Sequence, residues 1–210
     1  MARYTGSKTK LSKRVGRDLF LKGSRSYSAK SDYPKRPNRA GEHSRSRPKK
    51  VSEYGKQLLE KQALRYTYGL VEKQLANLFK KAFKQTGDTG KIALTNLERR
   101  IDNVIYRGGL ANSRSQARQL VNHGHFEVNG RRVNIPSFLV SVNDVISVKE
   151  NKKKNPFWQN FKLEVPNKLP SWIEGSKKSE LKIINLPLEA DLPDDFKVGA
   201  IVEFYSRKVA

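Results

Sequence analysis

The chain has 210 residues, of which 43 are Lys or Arg and 20 are Asp or Glu, so its formal net charge is +23. A compact protein with this charge repels itself, which indicates a polyanionic partner, and nucleic acid is the first candidate. The absence of cysteine excludes disulfides, thiolate nucleophiles and cysteine-ligated zinc or iron–sulfur centres. No stretch reaches the roughly 20 apolar residues that span a bilayer, and no apolar signal region follows Met1, so we expect a reducing, cytoplasmic setting.

The positive charge is concentrated in the first half of the chain. Residues 1–97 hold 24 basic and seven acidic side chains, whereas residues 171–210 hold six and seven. A charge that served only solubility would be spread evenly, so the first half is predicted to make most phosphate contacts. Within it, residues 1–50 have few aliphatic side chains, which favours a segment that orders on its ligand. The alternative of a disordered basic tail stays open, although Val15 and Leu19–Leu21 favour some local burial.

Apolar residues recur at helical spacing in three successive stretches after Ser52. The first predicted helix ends at Gly69, and the second ends before Gly87. The third is predicted to run without interruption from about Lys91 to Gly108. Three amphipathic helices of this kind can bury their apolar stripes against one another, so the pattern predicts a small helical bundle.

A short helix with its own caps is predicted next. Ser113 and Gln116 have the spacing of a capping box, and Gly124 stands where a helix ends. Arg114 and Arg118 are four residues apart and share one face near the unpaired N–H groups of the first turn. Because this arrangement suits a phosphate, the helix is a candidate phosphate-binding element.

Alternating apolar residues after this helix predict a small antiparallel sheet. Residues 126–128 precede Asn129-Gly130, a strong two-residue hairpin turn, and alternation continues with interruptions to Val148. Arg131 and Arg132 come directly after the turn. We expect them to extend the cationic face of the capped helix across the edge of the sheet.

These motifs resemble a known RNA-binding module, the S4 domain. The segments that carry this similarity in order and spacing are Arg99–Arg107, Ser113-Arg114, Ala117–Val121, His123–His125, Val128–Gly130, Asn134–Pro136 and Asp144–Ile146. Beyond them, the chain resembles the bacterial or organellar small-subunit ribosomal protein S4 family over nearly its whole length, including Met1–Tyr4, Leu19–Gly23, Gly41–His43, Ser52–Gly55, Tyr68-Gly69 and Val202–Arg207. The net charge supports the resemblance independently.

The resemblance implies an α+β fold in three parts. An N-terminal helical rRNA-binding domain with a basic extended N-terminus is expected over residues 1–98. The S4 domain, with helices packed on a small antiparallel sheet, is expected over residues 99–162. A C-terminal extension over residues 163–210 is expected to pack back on the N-terminal domain.

The resemblance also implies a structural, non-enzymatic constituent of the small ribosomal subunit. Such a protein is a primary binder of 16S-type rRNA, docks at a multi-helix junction in the 5′ domain and nucleates assembly of the subunit body. It lies beside ribosomal protein S5 and other small-subunit proteins, near the channel through which mRNA enters the subunit, and it affects translational accuracy. No membrane and no small-molecule substrate are expected, and the ribosome concerned is cytoplasmic or organellar.

The expected rRNA contacts are side chains that reach phosphates, sugars or bases. They are Arg3, Tyr4, Lys8, Lys10, Lys13, Arg14, Arg17, Lys22, Arg25, Lys35, Arg36, Arg39, His43, Tyr54, Gln57, Lys61, Arg65, Ser113, Arg114, Gln116, Arg118, His123, Asn129, Arg131 and Arg132. Gln57, Lys61 and Arg65 follow one another in four-residue steps, so we expect them on one helix face that follows the RNA.

A second basic segment resembles the part of the family that faces mRNA and rRNA phosphates. Its cationic members are Arg45, Arg47, Lys49 and Lys50. A solvated run of charge is the alternative interpretation, and the spacing of this segment is longer than in some family members.

Enzymatic alternatives have little support. Arg100-Ile101-Asp102 resembles the motif around the catalytic aspartate of pseudouridine synthases, but Asp102 lies within a periodic helix and is expected either to pair with a neighbouring arginine or to cap local structure. Gly87–Lys91 is too short for a P-loop, and His123 and His125 have no third ligand at metal-site spacing. The competing classes are a free RNA-modifying enzyme and an RNA chaperone or DNA-compacting protein that acts through charge alone.

The C-terminal region combines aromatic and acidic residues. The aromatic side chains, which are expected to anchor the chain by packing rather than to stack on bases, are Phe157, Trp158, Phe161 and Trp172. The acidic side chains, which disfavour phosphate and favour a basic protein neighbour, are Glu189, Asp191, Asp194 and Asp195.

The resemblance bears on metal content as well. Many family members bind zinc or another metal through four N-terminal cysteines, and the matching positions here are Thr9, Ser12, Ser26 and Ser31. Hydroxyl groups at this spacing do not make a zinc site, so we predict a protein without bound metal or cofactor. Atomic absorption on the purified chain should find far less zinc than protein, and stoichiometric zinc would contradict the prediction.

Overall fold

The computed structural model describes residues 4–29, 31–36, 38, 41, 50–162, 169–177 and 180–209. The chain divides into two compact units, the first within residues 1–93 and 193–210 and the second within residues 94–192. The first unit is built from helices, whereas the second combines helices with a five-stranded sheet. The predicted α+β class is therefore confirmed.

Helices make up most of the regular structure in the described part of the chain, and the strands are short. The helices are α1 (Lys8–Val15), α2 (Ser24–Tyr27), α3 (Asp32–Lys35), α4 (Glu53–Thr67), α5 (Glu72–Ala82), α6 (Thr89–Glu98), α7 (Ile101–Arg107), α8 (Arg114–Asn122), α9 (Glu150–Lys153), α10 (Pro156–Gln159) and α11 (Val198–Val209), with a short 3₁₀ helix at Glu189–Asp191. The strands are β1 (Phe126–Val128), β2 (Arg131–Val133), β3 (Val145–Val148), β4 (Ile173–Lys177) and β5 (Glu180–Ile183).

The core of the first unit lies where α11 packs on α4 and α5. Leu75 and Phe79 of α5 are fully buried, and the Phe79 ring stacks on Tyr205 of α11 with their centroids 4.8 Å apart. Burying a large apolar side chain contributes about 1.5–3 kcal/mol, so this contact stabilises a pairing between segments that are far apart in the chain.

An ion pair and a hydrogen bond join the same three helices. Lys61 Nζ of α4 lies 2.9 Å from Glu72 Oε2 of α5, and the Tyr205 hydroxyl of α11 donates to Glu72 Oε1 at 2.9 Å. Burial alone would raise the pKa of Glu72, but its contacts with Lys61 and Tyr205 and the charge of Arg65 hold that pKa below its ordinary value. Burial and the Glu72 carboxylate together raise the pKa of Tyr205.

The second unit is organised around an antiparallel sheet with strand order β2-β1-β3-β5-β4. Phe126 of β1 pairs with Val133 of β2 on one side and with Val148 of β3 on the other. Alternation along the strands places one set of side chains in the core with α7 and α8, namely Phe126, Val128, Ile146, Val148, Leu181 and Ile183. Gly108 ends α7 so close to β5 that an added Cβ would overlap the Leu181 side chain.

The prediction that the third helix runs without interruption is wrong, because the structure divides this segment into α6 and α7. Arg100 has an extended backbone (φ −65°, ψ 135°) and forms a β-bridge with Leu139. The Ile101 N–H donates to the Phe138 carbonyl at 2.9 Å, so a distant loop supplies the hydrogen bond that ends the continuity of the helix. The stripe of Ile101 and Val104 consequently belongs to the core of the second unit, and α11 takes its predicted place beside α4 and α5.

The C-terminal part of the chain also differs from the expected arrangement. Residues 173–183 form β4 and β5, which continue the sheet beyond β3 through pairs such as Ile146 with Leu181. Trp172 is fully buried beside them. Only the part after residue 192 belongs to the first unit, so the segment expected to form one extension contributes to both units.

The predicted hairpin turn and the predicted pairing of Asp102 are confirmed, whereas part of the predicted alternation is wrong. Asn129 and Gly130 both have positive φ (49° and 75°), as the tight hairpin between β1 and β2 requires. The predicted alternation after the hairpin is wrong at Ile135 and Val142, which are exposed and lie outside the strands. The predicted pairing of Asp102 with a neighbouring arginine is correct, and Arg100 Nε and Nη2 both donate to its carboxylate.

Glu72→Gln should lower the free energy of unfolding by about 2 kcal/mol, because Lys61 would keep a buried charge without its partner. The loss is smaller than for a fully buried pair, since the Glu72 side chain is 39% exposed. In the wild type, the contribution of Glu72 is full above its ordinary pKa of 4.5 and is lost as the pH falls through the lower folded-state pKa. Urea denaturation at neutral and acidic pH measures both effects.

Glu53→Gln is the matched control for this experiment. It removes the partner of Lys56 from an exposed ion pair within α4, the helix that also carries Lys61. The Lys56 Nζ and Glu53 Oε2 atoms of that pair are 2.9 Å apart. Exposed pairs contribute little, so stability should barely change. An equal loss in the two variants would contradict the structural role of the Glu72 contact.

Candidate nucleic-acid interface

The first turn of α8 is capped almost as the sequence predicts. Ser113 Oγ accepts a hydrogen bond from the Gln116 N–H at 3.2 Å. The Gln116 side chain reaches one residue further back than a standard capping box, and its Oε1 accepts from the Asn112 N–H at 2.7 Å. Ala117, Leu120 and Val121 face the core, which leaves the opposite side of α8 toward solvent.

Arg118 is held inside the protein rather than presented freely. Its Nε and Nη2 donate to Asp102 Oδ2 at 3.0 and 2.8 Å, and the same carboxylate receives Arg100. The exposed fractions of the Arg118 and Asp102 side chains are 12% and 7%. The expectation that Arg118 points at a phosphate is therefore corrected, because its guanidinium is largely buried and donates to the Asp102 carboxylate, which it shares with Arg100.

Arg114 is positioned by a second polar chain. Its Nε donates to Asn103 Oδ1 at 2.8 Å, and its guanidinium lies 4.6 Å from the centroid of the Tyr106 ring. Asn103 Nδ2 in turn donates to Glu98 Oε2 at 2.8 Å, and Glu98 also receives Arg107. These contacts of Arg114 are with an amide oxygen and an aromatic ring, whereas Arg118 donates to a buried carboxylate.

The hairpin places two cations on the edge strand of the sheet. Arg131 and Arg132 of β2 are exposed, and among the described residues neither side chain makes a hydrogen bond or an ion pair. Gly124, with φ +65°, allows close approach, since an added Cβ there would lie 2.6 Å from Arg132 Nε. Arg132 thus lies against the residues that follow α8, and both arginines border a surface groove that includes Phe138.

Asn129 has a structural task at the end of this groove. Its Nδ2 donates to Asp144 Oδ1 at 2.8 Å, and its Oδ1 accepts from the Val145 N–H at 2.9 Å. The side-chain amide that was expected to contact RNA therefore joins the hairpin turn to the start of β3.

Gln57, Lys61 and Arg65 of α4 were expected to face RNA. The expectation is wrong for Gln57 and Lys61, which are buried. Gln57 is 2% exposed, and the Lys61 side chain is 4% exposed with its Nζ 4.8 Å from the centroid of the Phe204 ring. Arg65 Nη1 lies 3.7 Å from Glu72 Oε2 and is partly exposed. The same four-residue spacing that suits an RNA face also suits a helix–helix contact, and α11 occupies that face. Tyr54, at the start of α4, is 52% exposed.

The N-terminal candidates are spread between solvent and internal contacts. Those that are exposed are Tyr4, Lys10, Arg14, Arg25, Lys35, Arg36 and Lys50. Those that are half-buried are Lys8, Lys13, Arg17 and Lys22. Arg17 pairs with Glu60 at 3.1 Å and donates to the Asp195 carbonyl at 2.7 Å, so it stabilises the first unit. Six candidates lie outside the described residues, namely Arg3, Arg39, His43, Arg45, Arg47 and Lys49.

The positions expected to replace metal-binding cysteines lie around one small recess, which Thr9, Ser12, Ser26 and Ser31 help to line. Two of the hydroxyls bond to backbone groups there: Ser12 Oγ accepts from the Leu19 N–H at 3.3 Å, and Ser26 Oγ accepts from the Lys22 N–H at 3.1 Å. Within the described part of the chain, no three His, Cys, Asp or Glu side chains are grouped to hold a metal ion.

His125 and the C-terminal aromatic residues serve packing. His125 is buried, and its Nδ1 accepts from the Trp158 indole N–H at 2.9 Å. Burial and the charges of Lys152 and His123 lower the pKa of His125, which keeps the accepting nitrogen unprotonated near neutral pH. The Trp158 ring meets Phe126 edge-on at 5.7 Å. His123 is exposed beside the end of α8.

No helix in the described part of the chain has both the length and the apolar character that a membrane span requires.

Two family models match the chain, and together they cover most of it. The ribosomal protein S4/S9 N-terminal domain matches residues 3–98, and the S4 domain matches residues 99–146. Full-length relatives include the small ribosomal subunit proteins uS4 of Clostridium tetani, 46% identical over 208 residues, and of Pelotomaculum thermopropionicum, 47% identical over 209 residues. Each alignment covers 99% of this chain and 100% of the relative.

Arg118→Gln should lower the free energy of unfolding by about 2 kcal/mol, because Asp102 would lose one of its two cationic partners in a buried site. The double variant Arg131→Gln with Arg132→Gln should change stability by no more than about 0.5 kcal/mol, since both side chains are exposed. Chemical denaturation of the full chain compares the two. A stable Arg118 variant would contradict the structural role assigned to that side chain.

Proposed function

Since the chain belongs to the uS4 family of ribosomal proteins, we propose that it is a structural constituent of the small ribosomal subunit and binds the rRNA of that subunit. The relatives carry the small subunit in their names, and the similarity extends over nearly the entire chain. This family consists of structural proteins, which agrees with the prediction that the chain is not an enzyme.

The observation that carries the rRNA assignment is the cationic edge of the second unit. Arg131 and Arg132 lie exposed on β2 without an ion pair among the described residues, and Arg132 lies next to the end of α8. Folded RNA is bound largely through phosphates and helix shape, and a pair of unneutralised guanidinium groups on a rigid strand suits that kind of contact. The net charge of +23 adds long-range attraction to the same partner.

We further propose the finer role that the family resemblance implies. The protein binds a multi-helix junction in the 5′ domain of the rRNA early, nucleates the body of the subunit, and lies in the cytoplasmic or organellar ribosome beside ribosomal protein S5. The basic segment that ends at Lys50 contacts mRNA near the channel through which it enters, and this position influences translational accuracy. The exposure of Lys50 and the resemblance support these assignments.

The domain organisation is proposed in revised form. The N-terminal domain comprises residues 1–93 with the returning segment 193–210, and the RNA-binding S4 domain comprises residues 94–192 with both added strands. The division into compact units supports these limits.

A competition binding assay at about 0.2 to 0.3 M salt tests the proposed function, because this ionic strength weakens contacts that depend on charge alone. The full chain should prefer the 5′ domain of small-subunit rRNA to an unrelated folded RNA of equal length. Equal binding would contradict selective rRNA recognition and would favour an RNA chaperone that acts through charge.

The cationic edge is tested in the same assay. Arg131→Gln with Arg132→Gln should weaken rRNA binding and reduce the slope of log affinity against log salt by about 1.4 to 1.8. Lys56→Gln with Lys153→Gln removes the same charge from lysines that already pair with Glu53 and Glu150, so it should have a smaller effect. Equal effects of the two double variants would remove the β2 edge from the interface.

A further inference from the structure

Helix α5 carries a line of cations that lies outside the candidate set taken from the sequence. Lys73, Asn77 and Lys80 are exposed and follow one another at steps of four and three residues, and Lys84 continues the line in the turn after the helix. At about 100° per residue these positions fall within about 60° of one another around the helix axis. The line is about 16 Å long, and it is called the α5 lysine stripe below.

The α5 lysine stripe lies opposite the face that α5 buries. Leu75, Phe79 and Ala82 are fully buried on the core side. Glu72 is the acidic residue of α5, and its carboxylate is already engaged by Lys61 and Tyr205. Among the described residues, none makes a hydrogen bond or an ion pair with the side chain of Lys73, Lys80 or Lys84. The positive charge of the stripe is therefore not neutralised within the described protein.

Two lysines outside α5, Lys56 and Lys153, differ in this respect. Lys56 pairs with Glu53 and Lys153 pairs with Glu150, each at a spacing of three residues. A solvated helix face is commonly balanced in this way, because oppositely charged neighbours stabilise the helix and like charges destabilise it. In the α5 lysine stripe, Lys80 and Lys84 instead have the four-residue spacing at which like charges repel. A face of this kind gains stability when a polyanion binds to it.

The composition of this face favours a nucleic acid over an acidic protein or an anionic membrane. No large apolar side chain between residues 72 and 84 is exposed, so the face lacks the apolar anchors of a typical protein interface and of a membrane-bound helix. Flexible ammonium groups on a straight line suit the regularly spaced phosphates of a nucleic-acid helix, which require no shaped pocket. Asn77 adds a neutral hydrogen-bonding side chain between the cations.

We propose that the α5 lysine stripe is a phosphate-binding surface for a helical segment of the small-subunit rRNA, a proposal that rests on the proposed rRNA binding and adds a contact to it. Lys73, Lys80 and Lys84 each neutralise a backbone phosphate, and the stripe follows the RNA backbone for about 16 Å. This surface belongs to the first unit, so the first unit contacts the RNA without the candidates on α4 that the structure buries.

The test compares two triple variants of the full chain by filter binding to the 5′ domain of small-subunit rRNA over a salt series. Lys73→Gln, Lys80→Gln and Lys84→Gln should reduce the slope of log affinity against log salt by about 2.1 to 2.7. Both proteins should lose affinity when the salt rises from about 50 to about 200 mM. The factor by which the affinity falls should be about 20-fold to 40-fold smaller for the variant than for the wild type. Thermal unfolding of both variants checks that the fold is unchanged.

The matched control is Lys56→Gln, Lys153→Gln and Lys197→Gln. It removes the same charge from lysines that pair with acids or, for Lys197, lie within electrostatic reach of Glu53. A smaller slope in the stripe variant alone supports the proposal. Equal slopes in the two triple variants, or a stripe variant with the wild-type slope, overturn it, and the second outcome would be expected if the stripe served an acidic protein.

Failure of the proposed function gives a different result. In that case the wild type would bind an unrelated folded RNA as tightly as the rRNA, whatever the variants do. Since phosphate contacts do not depend on sequence, the stripe variant should still show the smaller salt slope on the unrelated RNA. A wild-type slope on both RNAs would overturn the stripe separately from the proposed function.

Discussion

The Asp102 carboxylate, held between the guanidinium groups of Arg100 and Arg118, is the contact on which the second unit depends. It joins the first turn of α7 to the middle of α8, and Arg100 also reaches the Pro136 carbonyl at 3.5 Å. A buried carboxylate is retained only when cations pair with it, and those cations are then withdrawn from solvent. These bonds hold α8 against α7, and β2 lies beside Gly124, which follows α8.

The same principle divides the cations of the whole chain into two groups. Glu72 engages Lys61, Glu60 engages Arg17, and Glu98 engages Arg107, each through an ion pair that is at least partly buried. These cations stabilise the protein, because removing either partner would leave an uncompensated charge in a poorly solvated place. The few acidic residues therefore decide which of the many basic residues stay available for phosphate.

Each unit then presents its own cationic surface. The second unit offers Arg131 and Arg132 on a rigid edge strand, and the first offers the α5 lysine stripe on a helix whose other face is fixed by Phe79. Phosphate contacts position a protein on RNA without reading its sequence. Selective binding by such surfaces requires that each be fixed at a defined place on its unit, and the buried contacts of Glu72 and Asp102 provide that rigidity.

The sequence alone determined the family, the α+β class, the absence of an enzymatic role, the caps of α8 and the Asn129-Gly130 hairpin. These depend on composition, on motif order or on residues within a few positions of one another, so they are legible along the chain. The partners of Lys61 and Arg118, the break between α6 and α7, and the entry of residues 173–183 into the sheet were decided only by tertiary structure. Each depends on a group brought from elsewhere, such as Phe204 beneath Lys61 or the Phe138 carbonyl at Ile101. A basic residue at helical spacing suits a phosphate and a buried carboxylate equally well, and only the folded chain shows which one it meets.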